Sequence, residues 1–404
     1  MLEVITTIYF LYVFSKLYIS ISEIKYVNKA RFLPAIILSD ENYKQAADYK
    51  VANEKFSIFS NLYDYAIFLF WVLFGLKFLE SLIINNGTVV ESTIFVLVFL
   101  LINSLLGLPL DIYSTFVKDR KYGFSTINAK TYIIDHIKSF LMLIIIGGVI
   151  VALVSLIIMK LPHWWIWSFL VIFAIILFVN MFYPTLIAPL FNKFTLLEDS
   201  SLKEKIENLM KKAGLNSSGI FTMDASKRDN RLNAYFGGLG KAKRVVLFDT
   251  LIKKLNENEL LAVLGHELGH FKHKDIIKNI VTMAVMLFVL FAVFGNLPNS
   301  VYTALNLKVG AHSIIVIFLL LSSVISFVMM PFFGWLSRKN EYAADEYGSE
   351  CESKEALSSA LMKLSNENKS FPRSHPLYII FYHTHPPLVE RLKALGVELN
   401  AKRD

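Results

Sequence analysis

The chain has almost no cysteine. Cys351 is the only cysteine among 404 residues, so no intramolecular disulfide can form, and the soluble parts are expected to stay reduced. No neighbouring residue supports Cys351 as a nucleophile, and a small buried residue is the expected role. The chain also shows no evident internal repeat or low-complexity tract. The presence of a single cysteine therefore excludes a fold held together by intramolecular disulfides.

Charged residues are scarce in seven long apolar runs. Hydrophobic residues make up 55% of the chain, and the mean hydropathy is +0.50. A helix of about 20 apolar residues is long enough to cross a bilayer. The sequence predicts membrane spans at residues 3–22, 63–84, 92–112, 139–159, 164–188, 277–297 and 311–335. The main charged residues inside them are Lys16, Lys77 and Glu80.

The first run lacks the marks of a signal peptide. It opens with Glu3 instead of a basic residue, and no small-residue cleavage site precedes Lys25. We therefore expect a retained helix, although Lys16 interrupts it.

Basic residues are concentrated in alternate connections between the runs. Of the 41 lysines and arginines, 37 lie in residues 23–62, 113–138, 191–278 and 337–404. The three other connections hold only Lys160 and Lys308. Because basic loops face the cytosol, the pattern predicts an outward N-terminus and large loops on the cytosolic side.

The basic balance bears on partners. The pI is near 9.2. We interpret the excess of basic residues as attraction to the anionic lipids of the cytosolic leaflet. The charges are dispersed over four loops, and no nucleic-acid motif accompanies them. No nucleic-acid partner is expected.

One short run contains the candidate metal-binding and catalytic residues. Residues 263–270 read Val-Leu-Gly-His-Glu-Leu-Gly-His, with His266 and His270 four residues apart and Glu267 beside the first. On a helix, such histidines share one face and can bind one metal ion. Asn256 and Glu259 form a plausible capping box at the start of this helix. The alternative is a pair of histidines satisfied by hydrogen bonds on a buried helix.

A catalytic zinc ion needs a third protein ligand. The candidate is Glu341, which lies four residues before Asp345 and so on the same helical face. Glu341 could bind the metal, while Asp345 could orient a ligating histidine through its free N–H. A solvated acidic face is the alternative, and it would prevail without the upstream motif. Two spans separate His270 from Glu341, so both can meet at one membrane boundary.

The segment before the motif predicts a small α+β region. We expect an amphipathic helix near 200–213 and strands near 219–223 and 244–248. Between them, residues 231–238 are apolar and extended in character. An edge strand beside a peptidase metal can bind substrate backbone by strand addition, and an ordinary hairpin arm is the equally weighted alternative.

The tail holds one more candidate. His385 precedes Pro386 and Pro387, which fix the chain just before a helix. A histidine held in this way could donate a hydrogen bond to the oxyanion of a tetrahedral intermediate. A capping or surface histidine is the alternative.

Taken together, these segments resemble the M48 peptidases, specifically the Ste24-type CAAX prenyl protease branch, from end to end. The segments that carry the likeness are Asn42–Tyr49, Leu108–Tyr113, Tyr183–Phe194, Ser226–Arg228, Asn233–Phe236, His266–His270, Glu341–Asp345 and His385–Pro387. Five spans before the zinc motif separate this branch from the shorter HtpX-like members. Residues 1–190 are then an amino-terminal membrane region with five spans and two cytosolic loops. Residues 191–404 are the peptidase region, with two further spans and a cytosolic helical tail.

The resemblance implies a predominantly α-helical polytopic membrane protein of seven helices enclosing a chamber, with a small gluzincin-like α+β zinc-peptidase domain. It implies one zinc ion, bound by His266, His270 and Glu341, with Glu267 as catalytic base. The other residues it implies are Asn233 and His385 assisting the intermediate, Asp345, Arg391 and Arg338 in support, and Asn233, Ala234 and Tyr235 binding substrate.

The expected activity is hydrolysis of peptide bonds in membrane-associated or prenylated substrates. Zinc acidifies a water molecule and polarises the carbonyl, while Glu267 takes the proton of the water and passes it to the leaving amine. One alternative is a membrane-protein quality-control protease without prenyl specificity. A transporter or scaffold is the non-enzymatic alternative, which the few charges in the spans disfavour. A prokaryotic cytoplasmic membrane is the expected location, with the endoplasmic reticulum as the alternative.

Overall fold

The structure, a computed structural model, describes residues 1–215, 219–237 and 244–398. Within them, seven helices are long and apolar enough to cross a membrane, so the seven predicted spans are confirmed. They run over Leu2–Ala30, Asp40–Ile83, Val89–Lys121, Ala129–Lys160, Trp164–Phe191, Asp275–Gly295 and Ala311–Cys351. Most extend past the apolar run on the side of the basic loops, and the second begins at residue 40 instead of 63.

The helices, numbered in chain order, have the following bounds. They are α1 (Leu2–Ala30), α2 (Asp40–Phe70), α3 (Leu76–Ile83), α4 (Val89–Tyr113), α5 (Asp119–Lys121), α6 (Ala129–Met142), α7 (Gly148–Lys160), α8 (Trp164–Phe182), α9 (Ala188–Phe191), α10 (Ser200–Lys212), α11 (Asp249–Lys254), α12 (Glu257–Lys272), α13 (Asp275–Gly295), α14 (Ser300–Ala304), α15 (Ala311–Cys351), α16 (Lys354–Glu367), α17 (Pro376–Tyr382) and α18 (Leu388–Ala394). Single π-helical turns at Trp71–Gly75, Ser114–Lys118, Leu143–Gly147 and Tyr183–Ile187 join α2 to α3, α4 to α5, α6 to α7 and α8 to α9.

The membrane core lies between the first three spanning helices and α15. Its largest buried side chains include Phe68, Trp71 and Phe95, which pack with Val316 and Ile317 of α15. Little of each span is buried against its neighbours: the buried share of the most apolar window ranges from 6% for Trp164–Phe191 to 39% for Asp40–Ile83. Such helices fit an arrangement with lipid on one side and an open interior on the other.

A buried charge cluster closes the end of the bundle opposite the basic loops. Glu80 of α3 lies 3.0 Å from Nε2 of His312 at the start of α15. It also accepts the backbone N–H of Lys308 at 2.8 Å and a bond from Lys77 at 3.3 Å. Because a buried carboxylate is costly unless it is paired, these contacts join α3 to the turn before α15.

The soluble segment contains a four-stranded sheet of order β1-β2-β4-β3. The strands are β1 (Phe194–Leu196), β2 (Ile220–Met223), β3 (Ala234–Gly237) and β4 (Arg244–Phe248). β4 pairs parallel to β2 and antiparallel to β3. The predicted helix near 200–213 and both predicted strands are confirmed, and the segment between the strands contains an edge strand. Gly238, the last residue of that predicted segment, lies outside the described residues.

The register determines which backbone groups of β3 point away from the sheet. The backbone carbonyl of Asn233 accepts the N–H of Phe248 at 3.2 Å, so these two residues form a hydrogen-bonded pair across the strands. In an antiparallel ladder bonded and non-bonded pairs alternate. The backbone groups of Ala234 and Phe236 therefore face the outer edge.

Two arginines fasten the loop before β3 to the membrane helices. Arg228 forms a two-pronged bond with Asp135 of α6, at 2.8 and 3.1 Å. Arg231 donates to Tyr49 of α2 at 2.6 Å and to Asp119 of α5 at 3.1 Å. The edge strand is thereby held at the ends of helices from the amino-terminal region.

The helices α12 and α15 cross in close contact. A Cβ atom on Gly269 would lie 2.9 Å from the Cα atom of Ala344, and one on Gly348 would lie 2.8 Å from the backbone nitrogen of His266. Gly265 faces Cys351 in the same way, at 2.9 Å. Glycines let the two backbones approach until they touch, so α12 lies directly against the long helix that carries Glu341.

We expect Gly269→Ala to destabilise the protein by about 1–3 kcal/mol, because the added methyl forces the two helices apart. Metal affinity should fall with it. The control is Gly107→Ala in α4, where an added Cβ meets nothing within 4 Å and should be neutral or slightly stabilising. Thermal unfolding in detergent and metal titration measure both effects, and equal behaviour of the two variants would contradict the close-packing argument.

Candidate metal centre and peptidase site

The predicted zinc-motif helix forms as expected. α12 begins with a capping box in which Asn256 and Glu259 each bond the backbone of the other. Glu259 is further held by Ser359 at 2.6 Å and Lys363 at 2.8 Å, both from α16. The helix is apolar on several sides and is buried over most of its length. His266 and His270 therefore project from a rigid element.

The structure brings the three predicted ligands together. One ligand atom from each of His266, His270 and Glu341 lies within 4.8 Å of the other two. The Nε2 atoms of both histidines face Glu341, each 3.5 Å from one of its carboxylate oxygens. Oε2 of Glu341 is buried and has no hydrogen-bond partner among the described residues. A buried oxygen without a partner is costly, and a metal ion would satisfy it.

Each histidine is oriented by a carboxylate behind it. Nδ1 of His266 lies 2.9 Å from Asp345, as the helical spacing of Asp345 and Glu341 suggested. Nδ1 of His270 donates to Asp275 at 3.0 Å, a contact that sequence reasoning missed. Such carboxylates set the ring orientation and raise the basicity of the nitrogen that binds metal. The available signal was an acidic residue at the first position of the next helix.

The electrostatic environment favours a cation. Burial lowers the pKa of His270, but Glu341 and Asp275 raise it more, to about 9. The imidazole therefore lies in a strongly negative potential. Two imidazoles and one carboxylate are the donor set of many catalytic zinc sites, so the residues present fit a zinc ion.

Glu267 lies close enough to His266, His270 and Glu341 to interact electrostatically with each of them, and it lines the same cavity as His270 and Glu341. Burial raises the pKa of Glu267 above its ordinary value, although the neighbouring histidines lower it. A carboxylate whose pKa is raised is better suited to accept and return a proton near neutral pH.

The supporting residues lie behind the ligands. Arg391 of α18 binds Asp345 through two bonds, at 2.8 and 2.6 Å, and its guanidinium lies 3.7 Å from Glu341. Arg338 does not touch the ligands; it donates to the backbone oxygens of Ile379 and His383, at 3.0 and 2.6 Å. It therefore holds the tail segment that precedes His385.

His385 reaches the site from the tail. Its Nε2 atom lies 3.4 Å from Glu341, and its side chain is 59% exposed. The predicted helix after the proline pair is present as α18, with Pro387 at its N-cap. The ring is thus close to the ligands and remains accessible to a substrate.

The edge strand borders the same site. A cavity of about 250 Å³ is lined by Tyr235 and Phe236 of β3 together with Glu267, His270 and Glu341. Of the predicted substrate-binding residues, Tyr235 lines this cavity, whereas Asn233 and Ala234 lie at the preceding end of the strand. Oδ1 of Asn233 accepts the N–H of Ala234 at 2.8 Å, which turns the NH₂ group of this exposed side chain away from the backbone.

Two family models match the chain. Residues 196–398 match peptidase family M48. Residues 23–193 match the amino-terminal region of CAAX prenyl proteases, described as five membrane helices. The two matches together span most of the sequence.

Individual relatives extend over nearly the whole chain. CAAX prenyl protease 1 of Saccharomyces cerevisiae is 32% identical over 408 residues, covering 92% of this chain and 90% of the relative. The CAAX prenyl protease 1 homolog of Arabidopsis thaliana is 31% identical, covering 90% and 89%. The crystal structure of S. mikatae Ste24p superposes with a TM-score of 0.88 at 30% identity and covers 98% of each chain.

We expect Asp275→Ala to lower metal affinity about 10- to 100-fold, because His270 loses the carboxylate that orients it. Asp275→Asn keeps an acceptor without the charge and should give a smaller loss. Competition with a chelator of known affinity measures both variants. Unchanged affinity in Asp275→Ala would show that His270 needs no support from this residue.

Proposed function

The chain belongs to peptidase family M48, and from this premise we propose that it is a membrane-embedded zinc metalloendopeptidase that cleaves CAAX-type or other membrane-associated peptides. The observation that carries the proposal is the cluster of His266, His270 and Glu341, with Glu267 and the edge strand β3 around one cavity. The relatives named CAAX prenyl protease support the substrate class.

The proposed mechanism assigns separate tasks to the side chains. His266, His270 and Glu341 would hold a zinc ion, which when bound would supply the Lewis acidity that lowers the pKa of a water molecule and polarises a carbonyl group. Glu267 accepts a proton from the attacking water and returns it to the leaving amine. His385 and the NH₂ group of Asn233 donate hydrogen bonds to the developing oxyanion.

Substrate is proposed to bind as an added strand along β3. The outward backbone groups belong to Ala234 and Phe236, and the N–H of Ala234 is already bonded to Asn233. The carbonyl of Ala234 and both groups of Phe236 therefore supply the backbone bonds. Such pairing gives affinity through the main chain and aligns the scissile bond.

The non-enzymatic alternative is weaker. A coupled transporter usually needs a buried relay of ionisable groups. Glu80 and His312 are buried and ionisable, but they bond the turn at Lys308 and each other. That arrangement serves to close one end of the bundle. Quality control of membrane proteins without prenyl specificity remains an alternative substrate class, since the site chemistry is the same.

The site is proposed to face the cytosol, because the metal ligands lie on the side of the basic loops. The prokaryotic membrane expected from the sequence is likewise a proposal; the relatives named above come from eukaryotes, which supports the endoplasmic reticulum alternative.

We expect Glu267→Gln to lower kcat about 10²- to 10⁴-fold with metal retained, since only the base is lost. Glu341→Ala should lose both metal and activity, because a ligand is removed. The exposed Glu346 on the same helix is the control, and Glu346→Ala should change neither. Metal analysis and peptide cleavage measure all three; full metal retention in Glu341→Ala would remove this residue from the ligand set.

Asn233→Asp keeps the acceptor for the Ala234 N–H but loses the NH₂ donor. If that donor stabilises the oxyanion, kcat should fall about 10²- to 10³-fold with little change in KM. Steady-state kinetics on a membrane-associated peptide decides the matter. A change confined to KM would assign Asn233 to substrate binding alone.

Topology can be tested in a Cys351→Ala background by single cysteines at four exposed positions. Asn86 and Asn306 should react with an impermeant reagent outside, whereas Lys211 and Lys354 should be protected. Permeabilised cells, in which all four should react, provide the control. Labelling of Lys354→Cys in intact cells would reverse the proposed orientation.

A further inference from the structure

A second cavity adjoins the metal site on the side of His385. Its volume is about 450 Å³, and His385 and Arg391 both line it. Arg373 lines it as well, and the described lining contains no aspartate or glutamate. The cavity beside β3 has a different character, since its described lining includes Glu267 and Asp275 but no lysine or arginine.

Of the two arginines that line this cavity, Arg373 is the one whose charge is not paired with a described carboxylate. The charge of Arg391 is already taken up by Asp345. Arg373, by contrast, forms no ion pair with any carboxylate that the structure describes. Its Nε atom is buried without a hydrogen-bond partner there, and one terminal nitrogen donates to the backbone oxygen of Pro34 at 3.3 Å. A guanidinium in this state can still bind an anion.

The backbone around Arg373 is held in place from the membrane domain. Glu23 of α1 is fully buried and accepts the hydroxyl of Ser374 at 2.8 Å and the N–H of His375 at 2.7 Å. These are the two residues that follow Arg373. A binding group on a fixed backbone loses less conformational freedom when it binds a ligand.

We propose that this cavity binds the free C-terminal carboxylate of the substrate and that Arg373 is the residue that recognises it. The inference rests on the proposed function, since a CAAX motif ends its protein with a free carboxylate. Three extended residues span at most about 10 Å, and 450 Å³ lies within the usual size of ligand pockets. The planar guanidinium matches a carboxylate through two parallel bonds.

The test uses two farnesylated peptides that differ only in a C-terminal carboxylate or amide. In the wild type, amidation should raise KM about 10- to 100-fold, the usual worth of a hydrogen bond to a charged group. Arg373→Gln should raise KM for the carboxylate peptide by a similar factor, and amidation should then have little further effect. Lys393→Gln is the control: Lys393 lines the neighbouring cavity that Arg373 also borders and is not among the described residues that line the cavity beside His385, so the wild-type ratio should persist.

Each other outcome has a defined meaning. Equal KM values for both peptides in the wild type overturn carboxylate recognition and leave the peptidase assignment intact. A preference that persists in Arg373→Gln overturns the role of Arg373. Binding of both peptides to the Glu267→Gln variant gives the same comparison without turnover. If the wild type cleaves neither peptide, the proposed function fails, and equal binding to Glu267→Gln would overturn the carboxylate site separately.

Discussion

The site depends on one close contact, the crossing of α12 and α15. The candidate ligands come from two helices, and the chain between His270 and Glu341 passes through one complete span, α13, and through the apolar first part of α15. Gly265 and Gly269 on α12 and Gly348 on α15 leave no room for a side chain at the crossing. A larger separation would carry Glu341 away from both histidines, because the crossing lies within about two helical turns of each candidate ligand. The packing of small residues that joins helices in membranes here sets the distances of a metal centre.

Paired charges extend this arrangement outward from the metal. His266 is held by Asp345, and Asp345 is held by Arg391 of α18. His270 is held by Asp275, which also binds Lys278 at 2.7 Å. Removing Arg391 would leave the buried carboxylate of Asp345 without its cationic partner, which is strongly destabilising. The tail helix and the sixth spanning helix therefore take part in positioning the ligands without touching the metal.

Features that depend on local sequence were predictable, and those that depend on tertiary contact were not. The spans, the capping box at Asn256 and the strand at 244–248 follow from composition, spacing and residue type. The glycines of the crossing were visible in the sequence, but glycine is compatible with many environments, so their partner helix could not be named. Asp275 lies outside the periodic motif, and only the turn after α12 brings it behind His270. The outward groups of β3 required the register with β4, which a single strand does not reveal.

The different charges of the two cavities favour one direction for a peptide bound across the site. Next to β3, the described lining carries the carboxylates of Glu267, Asp275 and Glu341 together with His270 and without lysine or arginine, so it is a less favourable place for a substrate terminus with negative charge. Next to His385, the described lining carries arginine and no carboxylate. An extended peptide can pair with a strand edge in either direction, and its backbone hydrogen bonds are only slightly less stable in the parallel direction. The charge difference between the two cavities therefore favours one of the two directions. Only in that direction does a peptide that runs along β3 and across the candidate metal ligands place its terminal carboxylate near Arg373.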